Sequence, residues 1–155
     1  MTFRITGLDR ADFAHLFALS DAALADRGVQ RLTVEHPNAA PCRVGLRDLD
    51  PGETVLLLNH EHHPADTPYR SRHAIYVGEQ SSTAEVGPGE VPPVLRRRPL
   101  SIRAFDAAGM MTDADLVDGA EAAGLIARML ADARVDHLDI HYARRGCWAA
   151  RVRRA

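Results

Sequence analysis

From Val29 onward the chain keeps returning to a period of two, and each return is cut short by turn chemistry. Successive strand side chains point to opposite faces, so such alternation marks half-buried strands. Val29, Arg31 and Thr33 alternate with Gln30, Leu32 and Val34, and residues 100–105 alternate again. Asp48-Leu-Asp-Pro-Gly52 is a turn by composition, because proline fixes φ and glycine accepts a positive φ. Asp106-Ala-Ala-Gly109 reads as a hairpin turn with Gly109 in the left-handed position, and Arg144-Arg-Gly146 closes a last hairpin between 136–142 and 147–152. Connections this short favour antiparallel pairing, since parallel strands need long crossovers.

Further strands are expected at 3–6, at 53–60 (the most apolar and so central), at 74–77 and at 110–117, with Cys42, Val44 and Leu46 on one face of another. The period changes to a helical one in two places. Asp9 can cap a helix carrying Phe13, Leu16 and Phe17, and Ser20 a second one that Gly28 stops. Ala122, Leu125, Ile126, Met129, Leu130 and Ala133 mark one stripe of an amphipathic helix ending near Asp132. Residues 80–93 combine Ser-Ser-Thr, Gly-Pro-Gly and Pro-Pro with little apolar content and read as a mobile surface loop. The expectation is an α+β fold in a single domain, 1–155. It has one largely antiparallel twisted sheet of about seven to eight strands, an N-terminal helical pair and one C-terminal amphipathic helix packed on it.

Nineteen basic against twenty-one acidic residues give a net charge of -2, which argues against a nucleic-acid partner, since such binding wants a basic face. Every basic residue is Arg, the better fork for carboxylate and phosphate. The opening Met1-Thr-Phe-Arg-Ile5 lacks a basic segment followed by an apolar one, and the apolar run 55–58 is far too short to span a membrane. Both point to a cytoplasmic chain without a membrane partner, whose Cys42 and Cys147 stay reduced. Among nucleotide-cofactor and hydrolase signatures, the P-loop, G-x-G-x-x-G, C-x-x-C and G-x-S-x-G are all missing.

Four of the eight histidines lie between 60 and 73, directly after the most apolar strand. If that strand continues, His60 and His62 share a face and, with Asp66 nearby, can hold a divalent metal. His137 and His141 share a face with Asp139 by the same logic. The loop stiffened by Pro64 and Pro68 presents Tyr69 and Arg70, one able to stack and the other to fork an anionic group. Cys42 and Cys147 each open a strand and become nucleophiles only where a neighbour lowers the thiol pKa; burial as inert side chains is the commoner outcome. The run Arg96-Arg-Arg98 can meet an anion or form a solvated strand entrance.

Several segments together resemble the small bacterial proteins grouped as domain of unknown function 1203. They are Phe3-Arg-Ile-Thr-Gly-Leu8, Pro41-Cys-Arg43, Leu56-Leu-Leu-Asn59 with Glu61-His62, Thr67-Pro-Tyr-Arg70, Pro93-Val-Leu-Arg96, 106–111 and Gly146-Cys-Trp148 through Val152. The resemblance implies no reaction. It matches His62, Tyr69, Arg70, His141, Cys42 and Cys147 to the family pattern, whereas His60, His63 and His73 are peculiar to this chain.

Three readings follow. The first is a small-molecule site, binding or enzymatic, for an anionic or polar ligand, built from His62, Tyr69, Arg70, His141 and Cys42, with His62, His141 or Cys147 as the catalytic groups of an enzyme. The second is a non-catalytic module that self-associates as a homo-oligomer. The third is a metal-binding protein using His60, His62 and Asp66.

Overall fold

A computed structural model of the chain describes residues 2–155. The fold is α+β and mostly antiparallel, with ten strands divided between two five-stranded sheets. The first sheet runs in the order β1 (Phe3–Thr6), β10 (Trp148–Arg154), β9 (Val135–Tyr142), β7 (Pro99–Asp106) and β8 (Met111–Asp118). The second runs β2 (Gln30–Thr33), β5 (Thr54–His63), β6 (Ser71–Gly78), β3 (Pro41–Cys42) and β4 (Arg47–Asp48), with β3 and β6 parallel.

Each sheet closes its own apolar core. Leu100, Ile102 and Ala104 of β7 and Leu138 and Ile140 of β9 pack against Ile126, Met129 and Leu130 of α4 (Ala122–Leu130), the amphipathic helix. The other core joins Leu56 and Leu58 of β5 and Ile75 and Val77 of β6 to Phe13, Leu16 and Leu24. Leu16 and Leu24 come from the N-terminal helical pair, α1 (Ala14–Phe17) and α2 (Asp21–Ala25). The capping expectations hold: Asp9 accepts from the Ala11 amide and Ser20 from the Ala23 amide. Gly28 takes φ 69° just after α2, and Gly109 and Gly146 take φ 83° and 76° in the two hairpin turns.

One expected strand is replaced by a turn. Cys42, Val44 and Leu46 do not share a strand face: β3 ends at Cys42, and Leu46 takes φ 46° before β4 begins. The left-handed Leu46 is buried in the first core, so tertiary packing overrides the local alternation. Segment 80–93 has no helix or strand until α3 (Pro93–Arg96), and it is tied down at the Ala84 amide by Val44 O and at the Gly89 amide by Phe3 O. Among the described residues no helix is long and apolar enough to cross a membrane, and both cysteines are free.

Candidate functional site

Two β-bulges build the site. In β5 the register runs Glu61↔Arg72 and then His63↔Ser71, leaving His62 as the extra residue. The bulge turns His62 and His63 to the same side, and both are buried. In β10 Trp148 pairs with His141 and Ala150 with Ile140, so Ala149 is the extra residue and Trp148 joins Arg151 on one face. That face, continued by Arg103 and Phe105 of β7 and by His137, Asp139 and His141 of β9, meets the histidines of the β5–β6 hairpin in a polar seam between the sheets.

Asp139 sits at the centre of the seam with 0% exposure. Arg151 donates to both carboxylate oxygens, Nε at 2.8 Å and Nη2 at 3.0 Å. His62 Nδ1 stands 3.5 Å from Oδ2, the outer limit of a hydrogen bond. Burial alone would push this carboxyl up, but the hydrogen bonds from His62 and Arg151 hold it well below the usual carboxylate range. His62 Nε2 and His73 Nδ1 lie 2.7 Å apart; in the tautomer with the His62 proton on Nδ1, facing Asp139, Nε2 accepts from His73 Nδ1. Burial, with His62, Arg103 and Arg43 nearby, pushes His73 down.

His141 is 1% exposed, and burial pushes it down to about 3, so it is neutral. Its Nδ1 donates to Gly146 O at 2.8 Å, while its Nε2 is buried without a partner. His137 repeats the pattern: Nδ1 bonds Asp136 at 2.8 Å and Nε2 is buried and unpartnered. His63 Nε2 donates to Gly109 O at 3.0 Å. Two groups therefore bring ligand atoms within 4.8 Å of one another, His62–Asp139–His141 and His63–His137–Asp139.

Beside the seam lies a cavity of about 660 Å³ whose wall includes His73, Tyr142 and Cys147. Five arginines line it, Arg43, Arg97, Arg98, Arg144 and Arg145, and among the described residues no Asp or Glu does. Arg97 and Arg98 share the single carboxylate of Asp48, at 2.9 and 2.5 Å. Arg43 has no carboxylate partner among the described residues. It is 1% exposed, and it donates to Trp148 O at 2.8 Å, to Pro41 O at 2.5 Å and to Cys147 Sγ at 3.1 Å, none of them a carboxylate. The rest of its charge rests against the Tyr142 ring, 5.0 Å away. Burial pushes the Tyr142 hydroxyl up to about 12, keeping it a neutral donor.

The structure brings some expected site residues together and separates others. The His62 and His141 rings are 5.2 Å apart, and Cys147 lies at the neighbouring cavity. Arg70 is bound by Glu61 at 2.7 Å on the outer side of the hairpin, Tyr69 is exposed with its ring centroid 6.3 Å from that of Phe105, and neither lines the cavity. Cys42 is a buried packing group that accepts from the Gly45 and Gly78 amides at 3.4 and 3.3 Å. His60 and His62 do share a face, both against Trp148 at 6.0 and 5.8 Å. Asp66 is exposed on the loop, and neither it nor His60 belongs to a group close enough to share an ion. Sequence reasoning missed Arg43, Arg144, Arg145 and Arg151. One signal was available: no acidic residue follows Asp139, yet Arg144, Arg145, Arg151, Arg153 and Arg154 do.

Fold and site together define an α+β protein in which two antiparallel sheets meet at a histidine-rich seam beside an arginine-lined cavity. The chain belongs to the family described as protein of unknown function (DUF1203), whose model matches residues 39–154. No curated protein and no solved structure matches the chain.

Proposed function

We propose that the arginine-lined cavity binds a small carboxylate- or phosphate-bearing molecule, with Arg43 as its innermost charge. The observation that carries this reading is the buried Arg43 guanidinium, which has no carboxylate partner among the described residues. An uncompensated buried charge is costly, and an anion in the cavity supplies the missing counter-charge. Three of the five Arg43 N–H groups serve the fold, which leaves two for a ligand. Arg144 and Arg145 stand exposed at the same cavity with no ion pair among the described residues and give it an attractive field.

The self-association reading draws on Leu116, 70% exposed on edge strand β8. Asp113 and Asp115 on that strand share Arg128, at 3.1 and 3.3 Å, so three carboxylates with Asp118 meet one guanidinium and the edge keeps an acidic excess that disfavours a second copy; the cavity is preferred.

The test is thermal unfolding with inorganic phosphate and citrate against sodium chloride of equal ionic strength. A ligand of the native state must raise the midpoint as its concentration rises, because it adds about 2.7 kcal/mol to the unfolding free energy at a hundred times Kd. The double variant Arg144→Ala/Arg145→Ala, altered only at exposed positions, should unfold normally but respond more weakly. If neither phosphate nor citrate moves the midpoint beyond chloride, the reading fails.

A further inference from the structure

We propose that His62, Asp139 and His141 form a site for one divalent first-row transition ion behind the wall of the cavity. Their ligand atoms lie within 4.8 Å of one another, and all three side chains are buried. This inference stands independently of the anion reading, because a different observation carries it. His141 Nε2 is an imidazole lone pair sealed from solvent with no donor to meet it.

The orientation of His141 is that of a prepared ligand. Its Nδ1–H is fixed on Gly146 O at 2.8 Å, which sets the tautomer and leaves Nε2 to coordinate. Metal-bound imidazoles are held this way, with the outer nitrogen on a backbone carbonyl or a carboxylate. Two imidazoles and one carboxylate suit Zn²⁺, Co²⁺ or Fe²⁺, whereas Ca²⁺ and Mg²⁺ want oxygen ligands. Arg151 occupies one position on each Asp139 oxygen; Oδ1 keeps a second lone pair, and the second position on Oδ2 is the one His62 Nδ1 faces.

The protons balance without loss. Without the ion, His62 is protonated on Nδ1 and His73 on the Nδ1 that donates to His62 Nε2. With the ion on His62 Nδ1, His62 carries its proton on Nε2 and donates to His73 Nδ1, and His73 is protonated on Nε2. Both rings change tautomer and neither changes charge. His73 also lines the cavity, which gives the ion a route in.

The neighbouring group His63–His137–Asp139 shares the carboxylate. Phe105 covers it, with ring centroids 4.2 Å from His63 and 5.3 Å from His137, and His63 Nε2 is already held by Gly109 O. No member of either group lines the cavity itself, but His62 of the first group is hydrogen-bonded to His73, which does. The structure therefore assigns the ion to the first group.

The experiment is a Co²⁺ titration of the untagged full chain after EDTA treatment, followed by ligand-field absorption and equilibrium dialysis. About one equivalent should bind with visible bands of low-symmetry coordination. His141→Ala should weaken binding at least about tenfold, and His137→Ala should keep it. Near-UV circular dichroism checks that both variants fold. Ring ¹⁵N spectra of the unaltered protein with Zn²⁺ provide a test that needs no variant: the His141 Nε2 resonance should move and His62 and His73 should exchange tautomers. Binding below about a tenth of an equivalent, binding that survives His141→Ala, loss with His137→Ala alone, or shifts confined to the other histidines would each overturn the proposal.

Discussion

Asp139 and Arg151 are cross-strand partners on β9 and β10, and they are joined by two hydrogen bonds with the carboxylate fully enclosed. Arg151 also donates to His62 O at 2.8 Å, so one guanidinium ties both sheets together. Removing it leaves an unpaired buried carboxylate, a loss of about 3–5 kcal/mol. Arg151→Ala should therefore lower the urea midpoint severely, and Arg151→Lys should recover only part of it, because an ammonium cannot fork. A loss under about 1 kcal/mol, the value of a surface pair, would show the pair to be solvated.

Cys147 and Cys42 should separate cleanly in their accessibility. Cys147 is part-exposed at the cavity, whereas Cys42 is 1% exposed among amide donors. A bulky aromatic disulfide reagent should label Cys147 in the folded protein and reach Cys42 only on unfolding. Phosphate or citrate should slow the first reaction. Equal native rates for the two thiols contradict the burial pattern.

Gly7 is expected to tolerate no side chain. A Cβ there would meet Arg43 O at 2.6 Å and Val44 O at 2.9 Å, both backbone atoms. The Leu8 amide already binds Arg43 O at 2.8 Å, so this contact positions the arginine. Gly7→Ala should cost about 1–3 kcal/mol by overpacking and also weaken the phosphate and citrate response by displacing Arg43. An unchanged melting temperature and an unchanged anion response would show that the segment relaxes freely.

The pair Arg47–Glu53 predicts a pH dependence. Arg47 holds the Glu53 carboxyl below its ordinary value of 4.5 through hydrogen bonds at 2.8 and 2.5 Å. A depressed folded-state pKa means the unfolded chain binds the proton more tightly, so the stabilisation is complete above 4.5 and disappears as pH falls through the folded value. Glu53→Gln should cost about 0.5–1 kcal/mol at neutral pH, since the pair is partly solvated. The gap between variant and parent should close in acid. A gap that stays constant across a pH series of urea midpoints contradicts this.

What the sequence made legible was local. The hairpin turns at Gly109 and Gly146, the caps at Asp9 and Ser20 and the stripe of α4 each depend on a few adjacent residues, and each was readable. The division into two sheets depends on pairings such as β1 with β10, far apart in the chain. The site divides the same way. His62, His141 and the shared face of His137 and Asp139 follow from strand parity. Their convergence does not, because it needs extra residues at His62 and Ala149 that alternation cannot show. Arg70 presented itself as a free anion fork and is held by Glu61, while Arg43, adjacent to the cysteine that drew attention, has no such partner.

The β5 bulge also sets which kinds of mutation this protein can accumulate. Strand parity is a counting rule: losing one residue between the last core leucine, Leu58, and His62 moves the remaining histidines to opposite sides of the strand. Substitutions along that stretch remove one side chain at a time. A single-codon deletion there instead reassigns inside and outside for the whole cluster, sending imidazoles to solvent and bringing the outward Glu61 toward the buried Asp139. A single-residue deletion in this segment should therefore disturb the buried cluster far more than a single substitution there.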